Sequence, residues 1–182
     1  MPFTPTPIKD LVIFEPRVFE DERGFFLESY NKQLFKDNGI DTEFIQDNHS
    51  KSSYGVLRGL HFQLEPFAQA KLVRVVQGEV LDVAVDLRAK SETFGQWFSI
   101  RLSDQNKKQL FVPRGFGHGF AVLSETAEFL YKVDNVYSKE SEGSIAYNDP
   151  TLNIDWQLDL SKVIVSAKDA AAPNFKDAKI NF

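Results

Sequence analysis

The sequence contains no cysteine. That absence excludes disulfides, thiol nucleophiles, iron–sulfur clusters and Cys-liganded zinc together. It also fits a reducing compartment, so a cytoplasmic location is expected. Histidine is nearly as scarce, with three in 182 residues. They form neither a His-x-His nor a His-Glu-x-x-His spacing, and no metal ligand set is expected. With 8 Pro and 10 Gly, the chain is not a low-complexity polymer. Long apolar runs are missing too: stretches such as 11–14 and 120–123 fall far short of the ~20 residues of a membrane helix. The opening MPFTPTPIKD lacks the basic and apolar regions of a signal peptide, so no membrane association is expected. Positive charge is not in excess either. Lys+Arg number 21 against 26 Asp+Glu, a net charge of −5, which leaves no overall field to draw in a nucleic acid polymer. A few Arg and Lys in one cleft could still hold a small anion.

Hydrophobic residues make up 42% of the chain, and 17 of its residues are Phe, enough for a sizeable and ligand-lined interior. At ~150 residues per domain, one domain spanning 1–182 is expected, and no repeat, charge block or Gly/Ser linker divides it. Period-two alternation dominates. It is clearest over 71–88, where Val73 and Val75, then Leu81, Val83 and Val85, recur at i, i+2 on either side of Gly78. Further strands are predicted at 12–14, 25–29, 55–62, 97–102, 109–112, 119–123 and 128–133, each bounded by turn residues. Many short strands at this spacing predict a mainly β sandwich, jelly roll or barrel. Helical signals are short and peripheral, at 31–38 before Gly39 and at 169–172 before Pro173, and the tail reads as irregular.

The three histidines sit in polar or glycine-rich surroundings: Asp47-Asn48-His49-Ser50, Arg58-Gly59-Leu60-His61-Phe62-Gln63 and Arg114-Gly115-Phe116-Gly117-His118-Gly119. Glycine lets backbone approach a ligand closely, and arginine offers a planar fork for phosphate. Pro113-x-Gly115-x-x-His118 after a strand resembles the second motif of the cupin superfamily. In the first motif, however, Gln63 stands where a metal-binding cupin carries a ligand. Five segments together resemble something more specific. They are Phe19-x-Asp21-x-Arg23-Gly24-x-Phe26-x-Glu28, Phe44-x-Gln46-x-Asn48-x-Ser50, residues 55–63, Lys71-Leu72-Val73-Arg74-Val75, and Val112-Pro113-x-Gly115-x-x-His118-Gly119-Phe120. With Tyr147-Asn148-Asp149-Pro150 and Trp156, the chain resembles the dTDP-4-dehydrorhamnose 3,5-epimerase family over roughly residues 10 to 170.

The resemblance implies a cofactor-free, cupin-like jelly roll that inverts two carbons flanking the ketone of dTDP-4-dehydro-6-deoxy-D-glucose. Such chemistry needs a base on one face of the sugar, an acid on the other and a group to hold enolate charge between them. His61 is the candidate base, since a neutral imidazole suits neutral pH. The family match names Asp169 as its partner. Tyr131, on the more apolar side of a strand with Phe129 and Val133, is the candidate acid. Lys71, opening its strand, is the candidate enolate stabiliser. The resemblance further implies Arg23, Arg58 and Tyr137 near the diphosphate, Phe19 and Glu28 near the thymine, and Gln46, Asn48 and His118 lining the pocket. It implies a homodimer in which an early strand is exchanged, so that Phe19, Arg23 and Glu28 complete the neighbouring site. The residues themselves say only that Phe25-Phe26-Leu27 is too apolar for an exposed edge. Two other readings stay open from sequence: an enzyme on the same scaffold that acts at one carbon or shifts the ketone, and a non-catalytic sugar-nucleotide binding domain.

Overall fold

A computed structural model describes residues 2–182. In chain order the elements are β1 (Phe3–Pro5), β2 (Val12–Phe14), β3 (Val18–Asp21), β4 (Gly24–Leu27), α1 (Lys32–Asp37), β5 (Gln46–Ser53), β6 (Leu57–Gln63), β7 (Lys71–Gln77), β8 (Glu79–Asp86), β9 (Trp97–Ser103), β10 (Gln109–Val112), β11 (Phe116–Val122), β12 (Thr126–Val133), β13 (Glu142–Ser144) and α2 (Ala167–Ala170). A six-stranded sheet runs β1-β2-β10-β7-β12-β5 and a five-stranded sheet runs β13-β6-β11-β8-β9, while β3 and β4 form a separate hairpin. The strand pairs are antiparallel throughout, and the two sheets face each other as a cupin-like jelly roll. Among the described residues, no helix is long and apolar enough to cross a membrane.

The space between the sheets is filled from both sides. Val73, Val75, Leu110, Val112, Ala127 and Phe129 come from one sheet, and Val80, Ala84, Leu102, Phe116, Phe120 and Val122 from the other. Phe120 and Phe129 stack across the gap with ring centroids 4.2 Å apart. The stripe Leu81, Val83, Val85 points the other way, onto the outer face of the five-stranded sheet, where Ile145, Leu152, Ile154 and Trp156 cover it. The tail does lack strands, as expected, yet it is part of the core: Trp156 is 1% exposed. On the far side, Phe35 and Ile40 of the α1 region pack on Phe14, Leu72 and Phe111.

Several elements differ from the sequence reading. β5 is fully paired with β12 from Gln46↔Val133 to Ser53↔Thr126, although QDNHSKSS has no apolar alternation to announce it. Its hydrogen-bonding partner, not its own pattern, makes it a strand. β1, β3 and β13 are three or four residues long, too short for periodicity to register. The second helix lies two residues earlier than 169–172, because the Ser166 hydroxyl caps it by accepting the Asp169 N–H at 3.1 Å. Phe25 and Phe26, expected to be covered, are 57% and 69% exposed in the single chain.

One irregularity in β6 decides what the sandwich holds. His61 pairs with His118 and Arg58 with Phe120, so three steps on β6 oppose two on β11. This extra residue is a β-bulge, and it reverses the alternation of side chains beyond it. Leu57, Leu60 and Phe62 therefore all reach the outer cluster despite their odd spacing, while Arg58 and His61 line cavities opening on the opposite, inner face. Glycine is required here. Gly59 has φ +125°, and a Cβ on it would sit 2.5 Å from Gly119 Cα and 2.9 Å from the His118 carbonyl oxygen.

Gly24 offers a control, with φ +124° but nothing within 4 Å of its added Cβ. Gly59→Ala is expected to cost about 1–3 kcal/mol more than Gly24→Ala in urea unfolding, the difference being the overpacking of β6 on β11. Equal losses for the two variants would show that backbone strain alone, and not the close approach of the strands, makes Gly59 necessary.

Candidate active site

Five neighbouring strands aim polar side chains into the mouth between the sheets. One cavity of about 230 Å³ is bordered by Asn48, Arg58, Lys71, His118, Phe129 and Tyr131. An adjoining one of about 140 Å³ is bordered by His61, Gln63, Lys71, Tyr131, Tyr137 and Glu142 among others. Lys71 and Tyr131 border both, so the two hollows form one recess with these residues at its centre.

His61 and Asp169 are 108 residues apart in sequence, and His61 Nε2 is hydrogen-bonded to the Asp169 carboxylate. Asp169 is 3% exposed, carried in on the first turn of α2 by the Ser166 cap. Burial alone would raise its carboxyl, but the bonds from His61 and Ser166 hold it below the ordinary carboxylate range. A fixed carboxylate on one ring nitrogen sets the tautomer and leaves Nδ1 as the nitrogen that can take a proton. Lys168, next to Asp169, is bound to Glu142 of β13 at 2.7 Å, which ties α2 to the strand beside His61.

The Tyr131 phenol is raised above its ordinary value by burial, with Arg58 offsetting part of the rise, so it stays protonated at neutral pH. Burial likewise pushes the Lys71 ammonium down to about 8, while Asp82 acts to raise it. Asp82 is fully buried at the centre of β8 and accepts at 3.0 Å from His118 Nε2. The His118 imidazole nonetheless lies below its ordinary value, because burial outweighs the carboxylate. The sequence reading missed Asp82. The signal was there: a carboxylate flanked at i−2 and i+2 by Val80 and Ala84, in the apolar middle of a strand.

Of the remaining expected residues, Arg58, Asn48 and Tyr137 converge on the recess. Arg58 reaches Ser52 Oγ at 3.1 Å through Nη2, Asn48 accepts from Gln46 Nε2 at 2.8 Å, and Tyr137 stands exposed at the rim. Gln46 itself lies outside on β5, exposed. Phe19, Arg23 and Glu28 are not brought to the recess in this chain. Phe19 and Arg23 lie on the β3–β4 hairpin, where Arg23 pairs with Asp21 and Phe19 lies under Arg17, and Glu28 accepts from Asn31 Nδ2 at 3.1 Å. His49 takes a surface partner, Glu128, at 3.1 Å.

A family model described as dTDP-4-dehydrorhamnose 3,5-epimerase matches residues 5–177. The dTDP-4-dehydrorhamnose 3,5-epimerase of Shigella flexneri is 56% identical over 174 residues, covering 95% of each chain. The crystal structure of dTDP-4-dehydrorhamnose 3,5-epimerase from Elizabethkingia anophelis superposes with a TM-score of 0.92 at 58% identity, covering 96% of each chain. That of the dTDP-6-deoxy-D-glucose-3,5-epimerase from Legionella pneumophila, in complex with dTDP-4-keto-L-rhamnose, has a TM-score of 0.92 at 50% identity, covering 96% of this chain and 93% of that one.

The environment of Lys71 is directly measurable. On protein labelled with ¹³C at lysine Cε, NMR should show Lys71 titrating at about 8 rather than at the ~10.4 of a free lysine. Asp82→Asn should move the midpoint lower still, since the carboxylate is what opposes the burial. A Lys71 midpoint above 10 would mean that its ammonium is hydrated.

Proposed function

Since this chain belongs to the dTDP-4-dehydrorhamnose 3,5-epimerase family and is an isomerase, we propose that it inverts C3 and C5 of dTDP-4-dehydro-6-deoxy-D-glucose. The product is dTDP-4-dehydro-L-rhamnose, which serves dTDP-L-rhamnose biosynthesis in the cytoplasm, and residues 1–182 act as one epimerase domain. The observation that carries this reading is the recess itself, where a carboxylate-held imidazole, a protonated phenol and a partly buried ammonium face one another.

A C–H beside a ketone becomes acidic only as the carbonyl oxygen takes up negative charge. His61 Nδ1 removes the proton, and Asp169 stabilises the imidazolium that forms. The electron pair passes to the C4 oxygen, where Lys71 meets it as a cation below its midpoint of about 8. Tyr131 then delivers a proton to the opposite face of the same carbon, which inverts it. The ketone lies between C3 and C5, so once His61 has given its proton to solvent and Tyr131 has regained one, the same groups serve the second carbon. Arg58 and Tyr137 hold the diphosphate, with Asn48 and His118 on the pocket wall. Phe19, Arg23 and Glu28 serve a second copy: the exposed, apolar β3–β4 hairpin is exchanged in a homodimer and completes the neighbouring subunit's thymine and diphosphate site. The exposure of Phe25 and Phe26 in one chain supports this arrangement.

Replacing His61 by Asn removes the base and should slow turnover by ~10²–10⁴-fold with the fold intact. Tyr131→Phe should separate two events that the wild-type enzyme couples. In heavy water the variant continues to exchange substrate hydrogen at C3 and C5 through His61 while epimerised product forms far more slowly. NMR of the substrate pool reads deuterium and product together. A fall in both by the same factor would remove Tyr131 from the acid role and leave it as a positioning group. The reaction as written needs no metal, so prolonged treatment with a strong chelator should leave the rate unchanged. Loss of activity restored by a divalent ion would overturn that scheme.

A further inference from the structure

Gln63 lies two residues beyond His61 at the end of β6 and is 6% exposed. Its amide makes three hydrogen bonds, all to backbone. Nε2 donates to the Phe67 carbonyl at 2.7 Å and to the Val136 carbonyl at 3.1 Å, and Oε1 accepts the Ser138 N–H at 2.7 Å. These groups belong to two segments without sheet partners, 64–70 and 134–138, which lead into Lys71 and away from Tyr131 respectively. Glutamine carries two amide hydrogens and an acceptor oxygen, which matches the set; glutamate has no donor when ionised, and an apolar side chain has neither.

Val136 and Ser138 flank Tyr137. Gln63 therefore grips the backbone on both sides of that residue while the Tyr137 side chain stands exposed at the rim of the recess, its hydroxyl directed at Glu142. The two segments are joined further out as well. Gln69 Nε2 donates to the Asn135 carbonyl at 2.8 Å, Asn135 Nδ2 to the Pro66 carbonyl at 3.1 Å, and the Ala70 N–H to Asp134 Oδ1 at 2.7 Å. Asn135 Oδ1 also accepts the Val136 N–H at 2.9 Å, but Gln63 is bonded to the backbone on both sides of Tyr137.

We propose that Gln63 is a positioning residue whose buried amide fixes Tyr137 over the recess, so that it governs the hold on the nucleotide diphosphate rather than proton transfer. This rests on the reading that Tyr137 contacts the diphosphate. A long, exposed aromatic on an unpaired loop would otherwise have to be ordered when the ligand binds, and that ordering weakens affinity. Prefixing the loop removes this cost before the ligand arrives.

The test is a double-mutant cycle on the full-length enzyme, with dTDP affinity from calorimetry, KM and kcat as readouts. Gln63→Glu keeps the shape but sets a carboxylate against two carbonyl oxygens. Gln63→Met keeps the length without polarity and stands in should the charged variant fail to fold. Either is expected to raise the dTDP Kd and the substrate KM about tenfold, with kcat changed less than about threefold. In a Tyr137→Ala background the same substitutions should alter Kd by less than about twofold, because the group they position is already gone. Undiminished effects in that background, or a fall in kcat as large as the rise in KM, would overturn the positioning role. Tyr137→Ala alone tests the diphosphate reading. If it leaves the dTDP Kd unchanged, that reading falls and the inference with it. If it raises Kd while the Gln63 variants do not, the inference alone fails.

Discussion

The strand that carries His61 has one residue more than the strand it pairs with, and much of the site depends on that mismatch. In a regular strand Arg58 and His61 would point to opposite faces, since side chains alternate with period two. The bulge at Gly59 cancels the odd spacing and turns both toward the recess, while Leu57, Leu60 and Phe62 go to the outer cluster. It also sets His61 directly across from His118. The geometry is possible because β6 and β11 come within van der Waals contact of each other's backbone at Gly59 and Gly119, where neither position has room for a side chain.

The second dependence is on the tail. The outer face of β8 presents Leu81, Val83 and Val85, and an uncovered sheet face of that kind would be exposed to water at considerable cost. Ile145, Leu152, Ile154 and Trp156 cover it, and the same segment continues to Ser166, whose hydroxyl starts α2. Burial of Trp156 and placement of Asp169 beside His61 are thus two results of one chain path. The Lys168–Glu142 pair closes it onto β13.

A chain with net charge −5 builds a locally mixed recess by burying its carboxylates behind its bases. Asp169 stands behind His61 and Asp82 behind His118, each nearly or fully removed from water. Each accepts a hydrogen bond from the imidazole in front of it, and what faces the open space is imidazole, ammonium, guanidinium and phenol, together with Glu142, whose carboxylate is paired with Lys168. That arrangement suits an anionic ligand with a ketone better than the overall composition suggests.

Alternation alone was enough to read a mainly β chain, and β2, β7, β8, β9, β10 and β12 stand close to where the pattern put them, because each presents at least one apolar face to a core. β5 was invisible, since a polar strand is defined by its partner and not by its own residues. The residues of the recess were legible as chemistry: few histidines, each within three residues of glycine, arginine or asparagine, in segments shared with an epimerase family. Their mutual placement was not. Asp169 meets His61 across 108 residues, Asp82 faces inward only because of the register of β8, and Gln63 looked like a missing metal ligand until its three backbone partners came into view. Sequence determines which side chains alternate and which can carry a proton. Which of them share a cavity depends on strand register, one bulge and a long-range tail, all set by contacts between residues far apart in the chain.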